Sequence, residues 1–122
     1  MTRQSFVVLA WAACAAGPTL AQSPPPNVVG MTIQGARAVL AKHGWVPRET
    51  TARFAGDGTL EKQFGDAKRL RSAGLIEIES CTGTGMNYCV FNYESAGRCM
   101  RLTTSGERAL KVIRQTSDCP SP

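Results

Sequence analysis

Four of the five cysteines in this 122-residue chain, Cys81, Cys89, Cys99 and Cys119, fall within its last 42 residues. The fifth, Cys14, lies inside an apolar N-terminal run. Loss of that run leaves an even set, enough for two disulfides. Paired cysteines in a short chain point to an oxidising compartment and a small stapled domain.

The N-terminus supports removal of Cys14. Arg3 precedes an unbroken apolar and small-residue stretch from Phe6 to Ala16. Gly17-Pro18 then breaks any helix, and Thr19-Leu20-Ala21 follows. This is the order of a secretory signal, so residues 1–21 read as a signal peptide cleaved after Ala21. The stretch falls short of the roughly 20 apolar residues that a membrane-spanning helix needs. No later segment is longer, which leaves no integral membrane segment after cleavage. A second reading makes Cys14, after Ala12-Ala13, a lipidated residue. Either way the protein is expected in the periplasm or outside the cell.

Removing residues 1–21 leaves 101 residues, enough for one small domain whose core alone is marginal. The net charge of +5 falls to +4 without Arg3. Nucleic acid is not an expected partner of an exported chain. The basic balance suits either an ordinary solvated surface or an anionic envelope polymer such as peptidoglycan. Residues 22–27, with three consecutive prolines, read as an extended spacer, and residues 28–122 as a single domain.

Thr32 is a good N-cap, and Ile33, Ala36, Val39 and Leu40 recur at helical spacing after it. Gly44 ends that helix, and Trp45-Val46 resumes in extended form, with Pro47 confining it to a sheet edge. A second helix is expected after Asp57-Gly58-Thr59, with Leu60, Phe64, Ala67 and Leu70 along one face and Gly65 weakening its interior. Gly74 ends it. Aligning Gly44 with Gly74 also aligns Leu40 with Leu70 and Trp45 with Leu75, a two-fold echo that the demand to stop a helix explains.

From Leu75 the period becomes two. Ile76 and Ile78 alternate with Glu77 and Glu79. Further strands are expected around Val90–Tyr93, Met100–Thr103 and Leu110–Val112, separated by Thr82-Gly83-Thr84-Gly85, Ser95-Ala96-Gly97 and Ser105-Gly106. The fold class is α+β: two helices on one face of a four-stranded antiparallel meander, with two disulfides. Hairpin register pairs Cys81 with Cys89 and leaves Cys99 with Cys119. Four cysteines also allow two other connectivities.

Little in the sequence carries chemistry. His43 is the only histidine and sits where a cation complements a helix C-terminus. The four cysteines are separated by 7, 9 and 19 intervening residues, without the close pairs of a zinc site. No metal, cofactor or catalytic set is expected, and the protein reads as a non-enzyme. Glu77 and Glu79 are expected as solvated glutamates on the outer face of a strand. The loop from Thr82 to Tyr88 stands out, because Thr84, Met86, Asn87 and Tyr88 lie between two bridged cysteines. A pre-organised loop with an aromatic and an amide suits recognition.

Pro26-Asn27-Val28-Val29-Gly30-Met31-Thr32, followed by Ala36, Leu40 and Gly44, resembles the opening of a PASTA domain. PASTA domains are extracytoplasmic modules of bacterial penicillin-binding proteins and serine/threonine kinases, some of which bind peptidoglycan fragments. The resemblance covers residues 26–45 and implies an envelope setting. Beyond it a second helix occupies the place where a PASTA domain continues in strands. Glu79-Ser80-Cys81-Thr82-Gly83-Thr84-Gly85 with Cys89 and Phe91 looks like a family of small exported bacterial proteins of unknown function. The order of helices before strands is similar to that of β-lactamase inhibitor proteins. The expected function is binding of an envelope protein partner, with inhibition of an envelope enzyme as one form. The alternative is a peptidoglycan- or glycan-binding module.

Overall fold

The computed structural model describes residues 24–49 and 65–119. The expected signal peptide with Cys14, and the second helix's expected start with Leu60 and Phe64, lie outside the described residues.

Among the described residues, two helices and five strands follow in the order α1 (Ile33–Lys42), β1 (Val46–Pro47), α2 (Gly65–Ser72), β2 (Ile78–Cys81), β3 (Cys89–Ser95), β4 (Arg98–Ser105) and β5 (Lys111–Thr116). All strand pairs are antiparallel, and β2 to β5 form a meander. The sheet has one strand more than expected. The two-residue β1 joins the edge of β3 beyond β2, with Pro47 opposite Tyr93. An edge is the place in a sheet where a residue without an N–H is tolerated.

The chain enters α1 through a tight turn. Met31 N–H donates to the Val28 carbonyl, and Gly30 takes a positive φ of 91°. Gly30 N–H then donates to the Val112 carbonyl, while Val112 N–H donates to that of Met31. Gly30 and Met31 thus oppose one residue of β5, the hydrogen-bond pattern of a glycine bulge. Residues Gly30 and Met31 thereby tie the entry of α1 to the sheet edge. Pro25 and Pro26 are half-buried, and the side chain of Gln115 both donates to the Pro26 carbonyl and accepts from Val28 N–H. The packed domain begins within the expected spacer.

Thr32 caps α1, its Oγ1 accepting from Gly35 N–H at 3.2 Å. The two helices end alike. Trp45 N–H reaches the Leu40 carbonyl and Gly44 N–H that of Ala41; Leu75 N–H reaches Leu70 and Gly74 N–H reaches Arg71. Both ends are Schellman motifs, with a buried apolar residue just past each glycine. This identity of caps accounts for the echo between Leu40-Gly44-Trp45 and Leu70-Gly74-Leu75. Gly65, the first described residue of α2, has φ of 63°.

The helices cover one face of the sheet. Ile33, Ala36 and Leu40 of α1 and Ala67 and Leu70 of α2 join Ile78, Phe91, Tyr93, Met100, Leu102 and Val112 in one apolar core. Cross-strand pairs Phe91–Leu102 and Tyr93–Met100 put alternate residues of β3 and β4 on that face.

Both expected disulfides are present, Cys81–Cys89 and Cys99–Cys119, with Cα separations of 4.1 and 5.8 Å. Cys81 and Cys89 are direct partners in the β2–β3 register. Thr82 N–H donates to the Tyr88 carbonyl just beyond them, which makes the cysteines a close, non-hydrogen-bonded pair. Loop closure assigns roughly 2.5–3.5 kcal/mol to each bridge.

Candidate functional site

The loop between β2 and β3 is shut at its base by the Cys81–Cys89 bridge and the Thr82–Tyr88 bond. Inside it, Thr82 Oγ1 accepts from Tyr88 N–H at 3.0 Å, and Asn87 N–H donates to the Thr84 carbonyl at 3.1 Å.

Asn87 anchors the loop to the rest of the molecule. It is 4% exposed and holds a positive φ of 49°, a conformation asparagine tolerates better than most residues. Its amide nitrogen donates to Asp66 Oδ2 at 2.9 Å and to the Gly106 carbonyl at 3.1 Å, while its Oδ1 accepts from Gly83 N–H at 3.3 Å. Gly106 N–H in turn donates to the Met86 carbonyl at 2.9 Å. The loop is thereby fixed to the start of α2 and to the β4–β5 turn. Asn87, expected as a contact residue for a partner, turns its amide inward. Its burial follows from those three bonds, which no local sequence pattern announces, because Asp66 and Gly106 are distant in the chain.

Thr84, Met86 and Tyr88 face outward. Met86 is 60% and Tyr88 43% exposed. The loop thus presents a thioether and a phenol from a backbone immobilised at both ends and in the middle.

Glu77 and Glu79 are not solvated outer-face residues. The alternation that suggested a strand from Ile76 fails, because residues 76 and 77 form a turn and β2 begins at Ile78. Glu77 is fully buried. Arg37 Nε from α1 lies 2.9 Å from its Oε1, and Tyr93 donates its hydroxyl to the same oxygen at 2.8 Å. Burial, and then the adjacent Glu77 charge, push the Tyr93 hydroxyl well above the ordinary tyrosine range. Glu79, at a register shift in β2, has an 11% exposed side chain held at 2.8 Å on both oxygens by Arg101 Nη2, with Asn92 adding a bond at 3.2 Å. Each carboxylate is spent on its own arginine.

His43 is the C-cap of α1, and its Nδ1 lies 2.9 Å from the Val39 carbonyl. A carbonyl only accepts, so Nδ1 is the donor in this contact. Among the described residues no three His, Cys, Asp or Glu side chains converge as a metal site, and no helix is long and apolar enough to cross a membrane.

In comparisons with known proteins the chain matches no protein-family model, no curated protein and no solved structure.

Proposed function

We propose that the protein is a non-enzymatic interaction module that works outside the cytoplasm and recognises a protein partner through the 82–88 loop. One observation carries this reading. Met86 and Tyr88 remain exposed on a loop that a disulfide, Asn87 and Gly106 hold rigid. A loop fixed before binding loses little further freedom on contact, and exposed Tyr and Met are favoured contact residues. The two disulfides are compatible with an oxidising compartment. Inhibition of an envelope enzyme is the form such binding would take if the loop seats in that enzyme's cleft.

The glycan-binding alternative rests on the PASTA-like opening and on the positive net charge. The site geometry adds nothing to it. Trp45, the aromatic residue at the end of that stretch, is 4% exposed, with the Arg98 guanidinium 5.2 Å from its ring centroid.

The test uses the wild-type chain and a Met86→Ser/Tyr88→Ala variant as parallel baits in envelope extract. A protein retained by the first and lost from the second, with both baits showing the same circular dichroism, supports the reading. A partner retained equally by both overturns the loop assignment. Retention on purified cell wall that falls at moderate salt would support the glycan alternative.

A further inference from the structure

The two disulfides sit in different chemical surroundings. Cys89 is fully buried in the apolar core, and Cys81 packs against that core. Cys99 and Cys119 are not part of it, and both are half-buried. Cys99 pairs with Glu94 in the β3–β4 register, next to the core pair Tyr93–Met100, so it faces away from the helices. Arg48, just past β1, reaches the same sulfur. Its backbone N–H donates to the Asn92 carbonyl, and its Nη1 donates to Cys99 Sγ at 3.4 Å.

A cation on one sulfur of a disulfide biases how the bond breaks. Thiol–disulfide exchange begins with attack by a thiolate, and the sulfur better stabilised as a thiolate leaves faster. An adjacent arginine supplies that stabilisation. Of the other charges nearby, Glu94 opposes Cys99 but is exposed, so water screens it more than it screens the Arg48 contact. Arg101 spends its charge on Glu79, Arg98 stacks over Trp45, and Asp118 beside Cys119 takes the Thr116 hydroxyl. Opening the other bridge would place a thiolate at Cys89 in the apolar core, where burial disfavours it. The β4–β5 ladder, from Ser105–Lys111 to Arg101–Thr116, lies inside the loop that Cys99–Cys119 closes. β5 therefore keeps its strand partner when this bridge opens.

We propose that Cys99–Cys119 is an exchange site for a small thiol. The thiolate attacks Cys119 Sγ and forms a new S–S bond to it. The Cys99–Cys119 bond breaks, and its electron pair leaves on Cys99, a thiolate held against Arg48. The product carries the small thiol as a mixed disulfide on Cys119. A second small thiol attacking that mixed disulfide frees Cys119 and leaves as the disulfide of the two small thiols. The Cys81–Cys89 bridge takes no part, so this site and the 82–88 loop stand independently.

The oxidised protein, any free thiol first blocked with N-ethylmaleimide, is incubated with glutathione at mildly alkaline pH. Iodoacetamide then traps the thiols, and peptide mass spectrometry locates both labels. Glutathione is expected on Cys119 and iodoacetamide on Cys99, at about tenfold or more the rate at which Cys81–Cys89 opens. Arg48→Gln should slow this opening about threefold or more, and Arg48→Lys less. Opening of Cys81–Cys89 should keep its rate in both variants, which separates loss of the cation from a loosened fold. In the opened protein, Cys99 should alkylate at lower pH than Cys119, and Arg48→Gln should move the Cys99 profile up. Lys42→Gln, on an exposed residue of α1, should alter neither reading. Equal opening of both bridges, glutathione on Cys99 in place of Cys119, or an Arg48→Gln rate equal to that of wild type overturns the proposal.

Discussion

Tyr93 donates its hydroxyl to Oε1 of Glu77 at 2.8 Å, and both side chains are fully buried. The pair joins the central strand β3 to the turn that leads into β2. Arg37 completes it from α1, and its Nη2 also reaches the Gly74 carbonyl at the end of α2 at 3.1 Å. One carboxylate therefore gathers both helices and the sheet. Removing the hydroxyl leaves Glu77 with its arginine but one charged hydrogen bond short. Tyr93→Phe is expected to cost about 1.5–3 kcal/mol, read from the urea midpoint.

The same pair sets an alkaline limit. In the folded chain, burial and then the Glu77 charge hold Tyr93 protonated above its ordinary range, with Arg37 opposing in part. In the unfolded chain Tyr93 ionises near pH 10. Below that pH both states carry the proton and stability is unaffected. Above it the unfolded state binds fewer protons, so stability falls as pH rises. Urea midpoints from pH 8 to 11 should decline more steeply for wild type than for Tyr93→Phe. Parallel curves would refute the linkage.

Arg37 tests the other side of Glu77. Arg37→Ala leaves a carboxylate buried with only Tyr93 beside it. Breaking a fully buried pair costs about 3–5 kcal/mol. The Arg37 side chain is 36% exposed, so water reaches part of the site, and about 2–3 kcal/mol is expected. Adding Glu77→Gln should recover part of that loss, because the stranded charge is gone. A double variant no more stable than Arg37→Ala alone would show that the cost comes from lost packing of the arginine stem.

The apolar layout of this fold was legible because its signals are local. Thr32, Gly44 and Gly74 act on their own backbone, and Cys81 and Cys89 face each other because a hairpin register leaves no other partner so near. The buried polar groups were not. Glu77 sits in an alternating run that reads as an outward strand position, and only the turn at residues 76 and 77 reverses it. Its partners Arg37 and Tyr93 lie 40 and 16 residues away in sequence. Asn87 likewise looks like an available amide until Asp66 and Gly106 are brought to it. Periodicity finds apolar faces, but it carries no information about which distant polar group will satisfy a buried one.

The β3–β4 hairpin carries a local strain that substitution can relieve. Ala96 and Gly97 form its two-residue turn with φ of 47° and 78°, the type I′ geometry that favours Asn-Gly. Alanine in the left-handed region costs roughly 1 kcal/mol relative to glycine or asparagine. Ala96→Asn should therefore raise stability by about 0.5–1 kcal/mol, seen as a higher Tm with unchanged spectra.

Gly106 separates the rigidity of the 82–88 loop from the stability of the fold. It accepts from Asn87 and donates to the Met86 carbonyl, so it holds the loop from both sides. It has φ of 122°, and a Cβ built on it would collide with the Ala109 carbonyl oxygen. Gly106→Ala must shift the β4–β5 turn and pull both bonds out of line. Asn87→Gly removes the side-chain anchors while suiting the positive φ, so its expected cost is about 1–3 kcal/mol from the lost hydrogen bonds. In both variants the Cys81–Cys89 bridge still closes the base of the loop. Amide exchange should quicken at residues 87 and 106, whose N–H groups donate within this linkage, while Phe91 and Leu102 stay protected. If the loop recognises its partner because it is rigid, binding should weaken in both variants although Met86 and Tyr88 are intact. Unchanged binding with faster exchange would show that exposure of those two side chains, and not their fixed placement, is what the partner reads.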